Sequence, residues 1–152
     1  MYIIPEIKKS VSCDKFVIDG CKFVFPVSID ERVVNASKKV PAGNTIVEVS
    51  VCEKGTDAYK MTLSKDKICL VAESQAGAFY GIQTIRQIIK NGYCDVCEID
   101  DAPDFKTRGI YYDITRGRMP TLECLKELVE RGHRVLHSAA QLAQLLFAEC
   151  GH

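Results

Sequence analysis

AESQAGAFYGIQTIRQIIKNG, residues Ala72 to Gly92, is the stretch on which the fold turns. Ser74 offers a side-chain oxygen where a helix N-terminus leaves amides unpaired. Phe79, Ile82, Ile85 or Arg86, and Ile89 recur at helical spacing, and Asn91-Gly92 is a stop signal. The predicted helix runs from Ser74 to about Lys90. Gly77 and Gly81 lie four apart on it, a spacing that implies close packing on a sheet, because no side chain holds the backbones apart.

Strands for that sheet are legible upstream. Val47, Val49 and Val51 alternate with Glu48 and Ser50, and Tyr59, Met61 and Leu63 alternate with Lys60 and Thr62. The SKDK turn leads into Ile68 to Ala72, apolar on both faces and therefore expected near the middle of a sheet. Further back, Phe16–Ile18 and Cys21–Phe25 read as two strands joined by a hairpin-type turn at Asp19-Gly20. Ser28 and Glu31 are spaced as a capping box, with Ile29, Val33 and Ala36 at helical spacing, so a first helix is predicted to end before Pro41. Downstream, a strand around Cys94 to Ile99 meets an acidic, proline-containing break at Asp100 to Asp104. Residues 1–101 thus read as an α+β domain, a mixed β-sheet with helices packed on one face.

Beyond the break, Arg108 to Ile114 (RGIYYDI) reads as a strand. Pro120-Thr121 opens a helix with Leu122, Leu125, Leu128 and Val129 on one side. Strand followed directly by helix is the unit of a parallel α/β barrel. One unit cannot close a barrel, and it leaves both strand edges and the helix stripe uncovered.

Composition narrows the function classes. The 152 residues carry 20 basic and 20 acidic side chains, a formal net charge of zero, so no basic field draws nucleic acid or an anionic membrane. The apolar run near Met1 is too short for a signal peptide, and a cytoplasmic location is expected. Eight cysteines in a reducing compartment are expected as thiols, mostly as small hydrophobes in strands. Cys94 and Cys97 form one CxxC with no second pair to complete a zinc site. His133 and His137, with Cys150 and His152, match no metal-ligand signature, and no metal or cofactor is predicted. Ser12-x-x-Lys15 and Ser64-x-x-Lys67 match the SxxK of serine acyl-transfer enzymes. Both read as polar turns, and the companion motifs are missing. Gly77 and Gly81 are not a phosphate loop, since no Lys-Ser/Thr follows. Tyr111 and Tyr112 could stack on a sugar, but as strand neighbours they face opposite ways.

Two longer motifs are more specific. Ala72 to Ile89 carries A-G-x-x-Y-G-x-Q-T-x-R-Q, and Glu98 to Pro120 carries D-x-P-x-F-x-x-R-G. Together they resemble the junction of family 20 glycoside hydrolases, in which a small α+β domain (the hexosaminidase N-terminal, zincin-like domain) precedes a catalytic TIM barrel. The resemblance covers residues from about 44 to 131, and the first forty in layout only. It implies removal of terminal N-acetylhexosamine by a retaining, substrate-assisted mechanism, in which the 2-acetamido oxygen attacks the anomeric carbon. An adjacent Asp-Glu pair on a later barrel strand orients the acetamido group and serves as general acid and base.

That pair is not in this chain. Its one Asp-Glu dipeptide, Asp30-Glu31, belongs to the first helix cap, and no catalytic residue is predicted. Among substrate-binding residues the resemblance carries over Arg108, whose guanidinium would hydrogen-bond sugar hydroxyls. After Arg131 the sequence leaves the family's pattern: Ser138 to Glu149 reads as a helix rich in Ala, Gln and Leu. A frameshift or truncation near Gly132 would account for it. The expected organisation is residues 1–101 as a non-catalytic domain, 102–131 as the start of a truncated barrel, and 132–152 as a non-family tail. Function is expected to be that of an inert accessory domain of a β-N-acetylhexosaminidase. The alternative is a free-standing protein–protein interaction module, with self-association through the exposed barrel strand or the tail helix.

Overall fold

Polar side chains at both ends, and glycine where the backbone must approach, place the central helix. In the computed structural model, which describes residues 9–104 and 119–136, that helix is α2, spanning Gln75–Asn91. The Ser74 hydroxyl accepts from the Gly77 amide, and Gly92 ends the helix in the left-handed conformation at φ 75°. A Cβ on Gly77 would stand 2.7 Å from the Ala58 carbonyl oxygen, and one on Gly81 would meet the Leu70 side chain. Gly77 thus permits the close backbone approach that the spacing implies, while Gly81 leaves room for the Leu70 side chain.

The sheet has six strands: β1 (Lys9–Val17), β2 (Cys21–Val24), β3 (Thr45–Val51), β4 (Tyr59–Leu63), β5 (Lys67–Ala72) and β6 (Tyr93–Asp101). Their spatial order is β1-β6-β4-β5-β3-β2. β2, β3 and β5 run parallel; β4 is antiparallel to β5 and β6, and β1 to β6. A parallel neighbour requires a crossover, which α1 (Glu31–Ser37) supplies between β2 and β3. α2 carries the chain from β5 to β6 over the intervening β4, with contacts to β3, β4, β5 and β6. Val47, Val49, Tyr59, Met61, Leu63, Ile68, Leu70 and Ala72 project into one core with Val33, Ile82, Ile85 and Ile88. Each such isoleucine or leucine contributes about 1.5–3 kcal/mol by leaving water. The mixed sheet with helices on one face is the α+β architecture that the strand periods imply.

Of four local expectations, two are corrected and two refined. Asp19-Gly20 does not close a hairpin, because β1 and β2 lie at opposite edges of the sheet. The step from Val17 to Cys21 reaches about 14 Å at full extension, whereas six flat strands span about 24 Å. The sheet therefore coils until its edges approach at this end. There Tyr93 to Asp95 of β6 pair with Val17 to Lys15, past the last β4 partner pair, Leu63 and Cys97. The Ile18 amide donates to the Gly92 carbonyl and the Cys21 amide to the Pro41 carbonyl. Second, β5 lies inside the sheet as expected, with Ile68, Leu70 and Ala72 buried, while on its other face Cys69 is half-buried and Val71 is 42% exposed. Third, Ile82, Ile85 and Ile89 of α2 are buried as expected, but the buried side widens to take in Ala78, Gly81 and Ile88, and Phe79 is only partly buried.

Fourth, the first cap of α1 is Asp30, not Ser28. Its Oδ1 accepts from the Arg32 amide at 2.7 Å, and the Arg32 guanidinium bonds back to the same carboxylate. Gln75 of α2 braces the backbone of both candidates: its Oε1 accepts from the Asp30 amide, and its Nε2 donates to the Ser28 carbonyl. The hydrogen bonds from Arg32 lower the Asp30 carboxyl from 3.8 to about 2. A depressed folded value contributes stability above about pH 4 that is lost as pH falls toward 2. Asp30→Ala is thus expected to cost about 1 kcal/mol at neutral pH. In urea unfolding the gap from wild type should narrow as pH drops from 4 toward 2. A gap unchanged down to the lowest pH at which both remain folded would contradict this.

The chain divides into two compact units at Pro103/Asp104. In the second, α3 spans Leu122–Leu136, with the Thr121 hydroxyl accepting from the Cys124 amide. Leu125, Leu128 and Val129 are half-buried and Leu122 is exposed. The strand expected at 108–114 and the tail helix expected at 138–149 lie outside the described residues.

Candidate functional site

The residues offered by sequence for chemistry separate into structural roles. Asp30-Glu31 is a helix start whose carboxylate is taken up by Arg32. Ser64 donates its hydroxyl to the Lys67 carbonyl at 2.6 Å, while Lys67 Nζ pairs with Glu48 at 2.8 Å, which raises the ammonium's pKa. That serine and that lysine do not face each other as nucleophile and base. Ser12 and Lys15 belong to β1 rather than to a polar turn, flanking a register shift, and Lys15 Nζ sits 5.4 Å from the Tyr93 ring centroid. Cys94 and Cys97 are both in the hydrophobic core. Burial pushes the Cys21 thiol up to about 11, with the Asp19 charge adding to the effect, so it stays protonated and unreactive. Among the described residues no group of three or more His, Cys, Asp or Glu side chains could hold a metal ion.

Arg108 lies outside the described residues, as do Tyr111, Tyr112, His137, Cys150 and His152. The structure thus brings no sugar-binding set together among the residues it describes.

What it does bring together is a buried polar cluster where β6 ends. Tyr59 opens β4 and points inward with the alternation that Met61 and Leu63 continue. Its hydroxyl lies 2.7 Å from Thr84 Oγ1 on α2 and 3.1 Å from Asp101 Oδ2, the last residue of β6. Burial first, and the Asp101 charge after it, raise the Tyr59 phenol above its ordinary value. It therefore keeps its proton and donates to the carboxylate, while Thr84 donates to the phenol oxygen. The other carboxylate oxygen, Asp101 Oδ1, accepts from the Ala102 amide at 3.0 Å. Pro103 follows, which keeps Ala102 extended.

Thr84 belongs to the A-G-x-x-Y-G-x-Q-T-x-R-Q motif, and Asp101 opens D-x-P-x-F-x-x-R-G. The two motifs, separate in sequence, meet through one hydroxyl. Tyr59 is in neither, and nothing but its place in an apolar alternation marked it, so its polar end was not anticipated. A second cluster holds the N-terminal end of α2. Ser74 donates to Asp57 Oδ1 at 2.9 Å, and Thr56 donates to Glu73.

Comparison with known proteins agrees with the motifs. Residues 28–102 match the model of glycosyl hydrolase family 20, domain 2. The chain is 28% identical over 120 residues to N,N'-diacetylchitobiase of Vibrio harveyi, covering 73% of this chain and 13% of that protein. It is 31% identical over 85 residues to a beta-hexosaminidase of Vibrio vulnificus, covering 55% of this chain and 10% of the relative. Among solved structures, the β-N-acetylhexosaminidase of Bacteroides fragilis superposes with a TM-score of 0.72 at 17% identity, over 87% of this chain and 31% of that one. The exo-β-N-acetylglucosaminidase of Vibrio harveyi gives 0.71 at 17% identity, over 87% and 24%. The structures share the fold, and the chain spans only a small part of each relative.

Proposed function

Because residues 28–102 belong to domain 2 of glycosyl hydrolase family 20, we propose that this chain is the non-catalytic front domain of a β-N-acetylhexosaminidase-type enzyme, leading into its barrel. The observation that carries the proposal is the match of the sheet-and-helix unit to domain 2 of the family. That match ends at residue 102, one residue past β6, and the chain's single Asp-Glu dipeptide is a helix cap. On this reading the complete protein removes terminal N-acetylhexosamine through the substrate's own acetamido group. The front domain contributes support rather than chemistry, and Arg108 would be one contact of that enzyme's sugar site.

A second reading, an association module, is favoured by the exposure of Met119 (82%) and Leu122 (61%) beside the half-buried stripe of α3. It supposes that copies associate through the strand expected at 108–114 or the tail helix.

One preparation tests both. With a chromogenic N-acetyl-β-glucosaminide the purified chain is expected to release no more product than buffer, and turnover well above buffer would overturn the accessory-domain assignment. Size-exclusion with light scattering on the same sample is expected to show a mass above 16.9 kDa if copies associate, and a clean monomer defeats the module reading.

A further inference from the structure

We propose that Tyr59 is a positioning residue for the chain's exit from the sheet, acting through a relay of hydrogen bonds from Thr84 to Tyr59 to Asp101 to the Ala102 amide. The four residues of the relay come from three elements, α2, β4 and the end of β6, and from the residue that follows β6. The inner links are enclosed, with Tyr59 3% and Thr84 5% exposed, so water does not replace them when one is broken. Asp101 has two carboxylate oxygens and uses them for different neighbours, Oδ2 for Tyr59 and Oδ1 for Ala102. Holding one oxygen fixes the other. A carboxylate pinned by Tyr59 presents Oδ1 to the Ala102 amide, which adds to the extended bias of a residue before proline and sets the course of Ala102 as the chain leaves β6. Thr84 acts only through Tyr59, because its hydroxyl touches the phenol oxygen and not the carboxylate.

This order of action separates a relay from simple packing. Amide hydrogen exchange of Ala102, followed by NMR in the full chain with Leu70 in central β5 as reference, reads it directly. Tyr59→Phe keeps the ring and removes the relay's centre, and exchange at Ala102, which proceeds by local opening, should rise about tenfold, while any rise at Leu70 reports only the overall stability lost. Thr84→Val should raise it by a smaller factor, about threefold, and Thr84→Ser, which restores a hydroxyl, should return it to the wild-type rate. In the Tyr59→Phe background, Thr84→Val should add nothing. An Ala102 rate indifferent to Tyr59→Phe would overturn the proposal, and so would multiplication of the two effects in the double variant. If Tyr59→Phe does not fold, the contrast between Thr84→Val and Thr84→Ser decides alone: equal Ala102 rates in the two overturn it.

Discussion

Gly43→Ala is expected to lose about 3 kcal/mol or more of folding stability, although it adds only one methyl group. A Cβ there would stand 2.5 Å from the Gly20 carbonyl oxygen and 2.6 Å from its Cα. Reciprocally, a Cβ on Gly20 would stand 2.5 Å from the Ala42 oxygen. All these neighbours are backbone, so no side chain can rotate aside, and the two segments must separate. They meet where the link from β1 to β2 passes the loop before β3, the place where the coiled sheet brings its edges together. Neither glycine has positive φ, unlike Gly55 and Gly92, so space and not backbone freedom is at issue. Gly55→Ala is the matching control: φ there is 82°, and nothing lies within 4 Å of a new Cβ. That substitution should cost about 1 kcal/mol. Urea unfolding of the two variants decides the matter. Equal losses, or a Gly43→Ala protein as stable as wild type, would refute the crossing as a rigid contact.

The second large effect lies between α2 and the sheet. Leu70 is fully buried beneath Gly81, and Leu70→Ala should cost about 2–5 kcal/mol through lost burial and the cavity left behind. Gly81→Ala alone should also destabilise, since its Cβ would lie 2.8 Å from Leu70 Cδ2 and closer to Cδ1. In the Leu70→Ala protein the same change should reverse sign. The methyl then occupies vacated space, and alanine is favoured over glycine in a helix by about 1 kcal/mol. A double-mutant cycle by urea unfolding measures this coupling. Additive losses would mean that Gly81 is not required by Leu70.

These two sites also mark how far sequence reasoning reached. α2 was legible from Ser74 to Gly92 because capping, periodicity and glycine spacing are local signals. The alternating strands β3 and β4 were legible for the same reason. Pairing was not. Asp19-Gly20 has a hairpin's turn chemistry, yet its glycine serves a contact with Gly43, far along the chain, that no local pattern encodes. The cap of α1 was misassigned by two residues because Ser28 and Asp30 are both competent, and the backbone of both is braced by Gln75, on another helix. Tyr59 was read as a core position, correctly for its ring, but its hydroxyl finds partners on α2 and β6 that only the fold assembles. The family-specific motifs located the region around Thr84 and Asp101 without indicating that they touch the same group. Arg108 was carried over by resemblance alone.

Lys9 at the start of β1 lies directly across from Asp100 near the end of β6. The described part of the first unit therefore opens and closes at neighbouring points, like a loop of string held between two fingers. A unit with adjoining ends can be spliced into a surface turn of a host protein without prying that turn apart. It can equally be circularly permuted by joining those ends and cutting elsewhere. The antiparallel closure of β1 on β6 thus makes this sheet a portable module, one that recombination can transplant whole.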